Sequence, residues 1–330
     1  MIRIFILALV WILSIVFSVI WSYENPEKVE LIKSYFKKKQ TVEVKKASSN
    51  IQEFTANSFT VEVEKVLDIN DKTAFVTHPK NEEFDAKKLT IYTQSGSVIK
   101  NLVPKKIDLP NSFTLQRNGG IKTIIYSGQE VFALISAKEK DCFFALLTNI
   151  ENKRELFKTE CLPEKAKNND FNGLGSSNLH VDGKILFSIG TPEKHASKNS
   201  LLAQDKNSKF GKILEIDKNQ LNKDQKVEVK VFSIGHRVPQ GLTKLRNQIF
   251  AVEHGPKGGD ELNAIKRESN YGWPLASYGT NYMKDNGGDG KSYNVNHKKL
   301  NFTEPLFAFV PSVGISSLNT CPKKLISYYD

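Results

Sequence analysis

From Thr41 onward the chain alternates short apolar runs with turn residues. Ser58 to Val63, Ile121 to Tyr126, Val131 to Ile135, Cys142 to Leu147, Lys184 to Ile189, Lys212 to Ile216, Val227 to Ile234 and Gln248 to Val252 have the length and composition of strands. Asp182-Gly183, set between two of these runs, predicts a tight hairpin turn. No segment from Thr41 onward sustains a 3.6-residue apolar period, so the main domain is predicted to be all-β. Many short strands favour a sandwich, barrel or propeller over a parallel α/β sheet. No internal repeat is strict enough to count blades.

The amino-terminal stretch has a different pattern. Ile4 to Ser22 carries no charge and follows Arg3, and about 19 apolar residues suffice to cross a bilayer as a helix. A cleaved signal peptide is the competing reading, but the run is long for such a peptide and Ser18 to Ser22 makes a poor cleavage site. An uncleaved anchor is therefore expected over 1–22; cleavage would leave the protein secreted. Arg3 and the cluster Lys28, Lys33 and Lys37 to Lys39 pull its orientation in opposite directions. Asn25-Pro26 reads as a helix start, and Val29, Ile32 and Phe36 recur at helical spacing, so 23–41 is a helical stalk or a linker. Residues 42–330 form the β domain, expected in the periplasm or outside the cell.

Charge adds one exclusion. The 330 residues carry a formal net charge of +11 and a pI near 9.3. The six arginines are Arg3, Arg117, Arg154, Arg237, Arg246 and Arg267, and the remaining basic residues are lysines scattered among asparagines and glutamates. Nucleic-acid readers cluster their cations and lean on arginine forks; this pattern describes a basic, solvated surface and no nucleic-acid partner. Cys142 and Cys161 bracket two runs around a turn at Glu151-Asn152, where a two-residue loop would set them opposite each other. A cross-strand disulfide and two buried thiols both fit, and Cys321 is left over.

Several apparent motifs fail on spacing. Gly290-Lys291-Ser292 lacks the glycine a phosphate loop requires five residues earlier, where Asp285 stands. Asp285, Asp289 and Gly290 end on Asn296 where a calcium-binding EF loop needs glutamate. The histidines show no zinc spacing, and no Gly-x-Ser-x-Gly elbow occurs. The stretch AVEHGPKGGDELN, Ala251 to Asn263, is denser in glycine, proline and charge than a solvent loop requires.

With its surroundings this stretch resembles the glucose/sorbosone dehydrogenase family. Three blocks carry the likeness, in order: Gly235-His236-Arg237 with Pro239-Gln240-Gly241-Leu242; Glu253-His254-Gly255-Pro256 with Gly259-Asp260-Glu261-Leu262-Asn263; and Asn270-Tyr271-Gly272-Trp273-Pro274. Weaker echoes lie at Phe210 to Leu214 and at Pro311-Ser312. The resemblance implies an all-β, six-bladed β-propeller that uses pyrroloquinoline quinone (PQQ) and calcium to oxidise a sugar. It implies that Gly255 and Pro256 turn backbone carbonyls to a calcium that also touches the quinone. Asp260, Glu261 and Tyr271 match positions linked to a second, structural calcium, while Arg237 and His254 match cofactor contacts. Oxygen donors presented by a bent glycine-proline loop are what a hard cation takes, and a fixed cation suits a quinone gaining negative charge.

The pattern breaks at the proton-transfer pair. Sugar oxidation by hydride transfer from the carbon that bears the hydroxyl needs a base to take the hydroxyl proton, and the family uses a histidine oriented by an aspartate. Here Asn172 or Gly173 stands at the base, Thr191 stands at its partner, and Val238 replaces an asparagine that contacts the cofactor. His180 lies too far along an extended strand to substitute. The chain also stops at Asp330, in what reads as the middle of a strand, so the expectation is either a fragment of a longer protein or a propeller left open, with its C-terminal blades missing. Two expectations follow: a membrane-anchored sugar dehydrogenase with its catalytic base missing, or a non-catalytic propeller that keeps the calcium loop as a binding or scaffold module.

Overall fold

The computed structural model describes residues 42–46, 51–56, 59–79, 82–163, 171, 174, 177–192, 200–282 and 289–320. The expected anchor and stalk, Cys321 and the strand near the C-terminus lie outside these residues. Two small pairs come first: β1 (Val44–Lys46) with β4 (Leu67–Ile69), and β2 (Ile51–Ala56) with β3 (Phe59–Glu64). Four antiparallel sheets follow. The first holds β5 (Thr73–Thr77), β6 (Thr90–Thr93), β7 (Ser97–Lys100) and β8 (Val103–Lys106). The second holds β9 (Ile121–Ser127), β10 (Glu130–Glu139), β11 (Cys142–Asn149) and β12 (Glu155–Lys158), with β13 (Leu162–Pro163) added to β11. The third holds β14 (Asn178–Val181), β15 (Lys184–Ile189), β16 (Lys212–Asp217) and β17 (Lys230–Ile234). The fourth holds β18 (Pro239–Leu245), β19 (Gln248–Glu253), β20 (Asp260–Ile265) and β21 (Phe307–Phe309).

Each sheet is a meander whose strands pair in sequence order, and the first strands β5, β9, β14 and β18 lie side by side. Meanders that share a line of innermost strands are the blades of a propeller. The described residues therefore form a propeller-like all-β fold with four blades, where the resemblance implies six, and they contain no α-helix.

The apolar runs follow from burial on both faces. On β10, Phe132 and Leu134 enter the core between the second and third blades, while Ala133, Ile135 and Ala137 enter the core between the first and second. On β15, Ile185, Phe187 and Ile189 face the former core, and Leu186 faces a third one with Phe232, Leu242 and Ala251. A strand buried on both sides has no polar face to alternate with, which is why these runs read as continuous.

Two local expectations are refined. Asp182 and Gly183 both take positive φ, 49° and 73°, and connect Val181 to its partner Lys184 as a two-residue turn. Cys142 and Cys161 form a disulfide with Cα atoms 5.2 Å apart, but not across a two-residue loop. Asn149 accepts from Glu151 and Asn152, the register shifts between Leu147 and Thr148, and Cys142 ends opposite Pro163. A wider turn and a bulge bring Cys161 back to the start of β11.

Candidate functional site

Gly235 follows β17 with φ of +79°, and a Cβ there would lie 2.1 Å from Asn270 Oδ1 and 2.6 Å from Gly272 N. Only glycine allows this approach. The turn is held because Trp273 N–H donates to the Gly235 carbonyl and Gly235 N–H donates to Ala203. Ala203 and its neighbours are fixed by Lys212, a fully buried lysine whose Nζ donates to Leu202, Ala203 and Phe210 carbonyls at 2.7, 3.0 and 2.7 Å. The chain then enters β18 through His236 and Arg237.

His236 is fully buried and stacks on Tyr271, with ring centroids 4.7 Å apart. Its Nε2 lies 2.8 Å from Ser233 Oγ and its Nδ1 lies 3.0 Å from Glu253 Oε1. Glu253, the last residue of β19, accepts from Asn263 through Oε1 at 3.0 Å and from the Arg237 N–H through Oε2 at 2.8 Å.

The Arg237 side chain is buried, lies over the Trp273 ring at 5.3 Å, and donates through Nη1 to the His254 carbonyl at 3.1 Å and the Gly255 carbonyl at 2.5 Å. Burial lowers its pKa, against Tyr282, Tyr293 and Glu253; arginine stays protonated all the same. His254 follows at the rim, half-buried, with Nδ1 3.7 Å from Asp260 Oδ1. That distance permits attraction but no hydrogen bond. Burial and then Arg237 lower the His254 pKa against the pull of Asp260, so its imidazole is neutral at pH 7.

The loop itself is shaped by close backbone contact. A Cβ on Gly255 would meet Gly259 O at 2.2 Å and Gly258 O at 2.3 Å, and one on Gly259, at φ +69°, would meet Gly279 N at 2.4 Å. Pro256 is buried against Gly279. Asp260 accepts from Gly255 N and Ser312 Oγ through Oδ1, and from Val313, Gly314 and Ile315 N–H groups through Oδ2. Burial opposes its charge, yet these donors outweigh it and hold the pKa below the ordinary aspartate value. Its acceptor capacity is spent on the loop it anchors.

Glu261 is buried and accepts from Asn263 at 3.2 Å; burial, then the neighbouring Glu253, raises its pKa well above the usual range. The Tyr271 hydroxyl donates to the Ala264 carbonyl at 2.6 Å and accepts from Lys266 N–H at 2.9 Å, and burial pushes its pKa up to about 12.

Arg237, His254, Gly255, Glu261 and Tyr271 line one partly open void of about 10 Å³ together with Glu253 and Trp273; Pro256 and Asp260 stand behind the wall. Buried beside it, Asn263 Oδ1 and Trp273 Nε1 make no hydrogen bond. Among the described residues no three His, Cys, Asp or Glu side chains converge as metal ligands. The sequence reading missed the parts played by His236, Glu253 and Trp273, although all three sit inside the quoted blocks. Thr191 is buried, and both its N–H and its hydroxyl donate to the Arg237 carbonyl, at 2.8 and 3.3 Å. Asn172 and Gly173 lie outside the described residues. His180 is exposed and pairs with Ile185, roughly 20 Å along the strand from Thr191 at ~3.3 Å per residue. Val238 is buried, and its carbonyl accepts from His254 N–H at 3.0 Å.

The family model for "Glucose / Sorbosone dehydrogenase" matches residues 124–329. The chain is 32% identical over 145 residues to "Aldose sugar dehydrogenase YliI" of Escherichia coli, covering 41% of this chain and 37% of that protein. It is 30% identical over 135 residues to "Quinoprotein glucose dehydrogenase B" of Acinetobacter calcoaceticus, covering 32% of this chain and 28% of that one. These matches thus span well under half the length of either relative. The crystal structure of the apo-form of soluble aldose sugar dehydrogenase from Escherichia coli superposes with a TM-score of 0.58 at 18% identity, over 84% of this chain and 78% of that one, which shows the shared fold. The family match covers more than half of the sequence and includes all three glycine-rich blocks that build the void, so the chain belongs to the glucose/sorbosone dehydrogenase family.

Proposed function

We propose that this chain is a PQQ- and calcium-dependent aldose dehydrogenase domain. The observation that carries the reading is Arg237: a buried guanidinium, fixed by two loop carbonyls and the Trp273 face, at the wall of a void beside neutral His254. A desolvated, pre-oriented cation of this kind suits a multiply charged anionic cofactor. Arg237 and His254 would hold PQQ. The Gly255 and Pro256 carbonyls are the oxygen donors for a calcium ion at the quinone, and Glu261, the unpartnered Asn263 Oδ1 and the Tyr271 carbonyl are those for a second, structural one. Two adjacent buried carboxylates, Glu253 and Glu261, also fit a nearby cation, since their mutual repulsion then falls.

When bound, PQQ would supply the two-electron acceptor for hydride from the sugar carbon that bears the oxidised hydroxyl. Arg237 presents a fixed positive charge to that acceptor, Trp273 shields the guanidinium from water, and Asp260 keeps the Gly255 to Gly259 turn in shape. The disulfide supports an oxidising compartment, in line with an exported domain that the segment 1–22 would anchor.

One observation favours a second reading, a binding or scaffold propeller without turnover. Thr191, which stands where the family's orienting aspartate belongs, spends both of its donors on the Arg237 carbonyl. A titration of the full chain with PQQ, with and without calcium, followed by dye reduction with a panel of aldoses, separates the two. Calcium-dependent binding with sugar-dependent reduction is expected for the dehydrogenase. Binding without turnover, unrescued by Asn172→His or Gly173→His, establishes the scaffold, and absence of binding overturns both cofactor assignments.

A further inference from the structure

Arg237 is held by its backbone as firmly as by its side chain. Its N–H donates to Glu253 Oε2 at 2.8 Å, and its carbonyl accepts twice from Thr191. Thr191 follows β15 in the third blade and Glu253 ends β19 in the fourth, so the two grip the connecting peptide from either side. Glu253 is itself fixed by Asn263 and by His236, whose far nitrogen reaches Ser233. Ser233, His236 and Asn263 are 0% exposed, Thr191 1% and Glu253 4%. Burying so many polar groups carries a desolvation cost that an ordinary turn between blades has no reason to bear. The network converges on the one residue whose guanidinium faces the void.

We propose that Glu253 and Thr191 are positioning residues that clamp the Arg237 peptide, so that its guanidinium meets an anionic cofactor in a single geometry. The proposal rests on the reading that Arg237 faces bound PQQ. Glutamine cannot replace Glu253: its amide sets an N–H₂ either against the Arg237 N–H or against the Asn263 amide, donor to donor. Thr191→Val keeps the backbone N–H and loses only the hydroxyl.

The test uses the full chain with two readouts, PQQ affinity from quinone absorbance and the rate at which phenylglyoxal labels Arg237, mapped by mass spectrometry. Glu253→Gln is expected to weaken PQQ about tenfold, and Thr191→Val about threefold, the size of couplings between groups in contact. Both changes should speed labelling of Arg237, which is buried in the wild type. In an Arg237→Ala background neither substitution should alter PQQ affinity further. Glu215→Gln, which removes the buried partner of Arg267, controls for lost stability and should move neither readout. Equal loss of affinity with and without Arg237, or unchanged labelling, overturns the clamp. If Glu253→Gln does not fold, Thr191→Val carries both measurements. If the wild type binds no PQQ, the functional reading falls, and the labelling rates still decide the clamp.

Discussion

At the scale of single residues, Asp260 shows how position in the fold decides what a carboxylate does. It sits in a motif where the family resemblance suggests a metal, yet its two oxygens accept from five donors across the turn at Gly255 and the segment Ser312 to Ile315. Asp260→Asn turns one of these oxygens into a donor facing other donors. It should cost ~2–3 kcal/mol in urea unfolding, the scale of hydrogen bonds to a buried charge, and should speed amide exchange at Val313, Gly314 and Ile315. Unchanged exchange there would contradict the anchoring role. Glycines are the legible counterpart: Gly235, Gly255 and Gly259 were visible as a cluster because no other residue tolerates those contacts.

Elements add what single residues leave open. The segment that carries His297 and Glu304 is pinned to the site loops because Tyr278 O–H donates to Glu304 Oε2 at 2.7 Å and stacks on the His297 ring. That bond first, then burial, pushes the Tyr278 pKa up to about 12 from 10.0. A folded-state pKa above the unfolded value means the stabilisation is complete below pH 10 and is lost as pH rises from 10 through 12. Tyr278→Phe should therefore lower unfolding free energy by ~1 kcal/mol at pH 7 to 9, and the gap to wild type should close above pH 10. A gap that persists at pH 11.5 would show that packing, not the hydrogen bond, holds this segment. Lys184–Ile189 is readable to the residue, whereas β5 to β8 are not, since each has only four or five residues and β8 is exposed throughout. Val227 to Ile234 shortens to Lys230–Ile234, because Val227 instead donates its N–H to Leu156 and packs into the core between blades.

For the whole molecule, stability depends on links between distant stretches of chain. The Cys142–Cys161 bridge closes a 19-residue separation, and loop-closure entropy puts its contribution at ~3 kcal/mol. Reduction, or paired Cys→Ser replacement at 142 and 161, should lower unfolding free energy by that amount with little change in the circular dichroism of the folded state. A loss of β signal on reduction would mean the second blade needs the bridge to form. Between blades, the cores built from both faces of β10 and β15 supply the larger share, since each strand buries apolar side chains in two directions.

The sequence by itself determined the all-β class, the long buried strands β9, β10, β11, β15, β16 and β19, the Asp182-Gly183 hairpin and the glycine-rich loop, because each is set by local backbone geometry or by an apolar run. It also placed the blocks that make the family recognisable. Only the tertiary structure decided which residues share a void, that Asp260 stands behind its wall, and that Glu253, His236 and Thr191 converge on the Arg237 peptide. Those contacts join residues from different strands and different blades. Neighbours along the chain carry no trace of a hydrogen bond that exists only once two blades have packed.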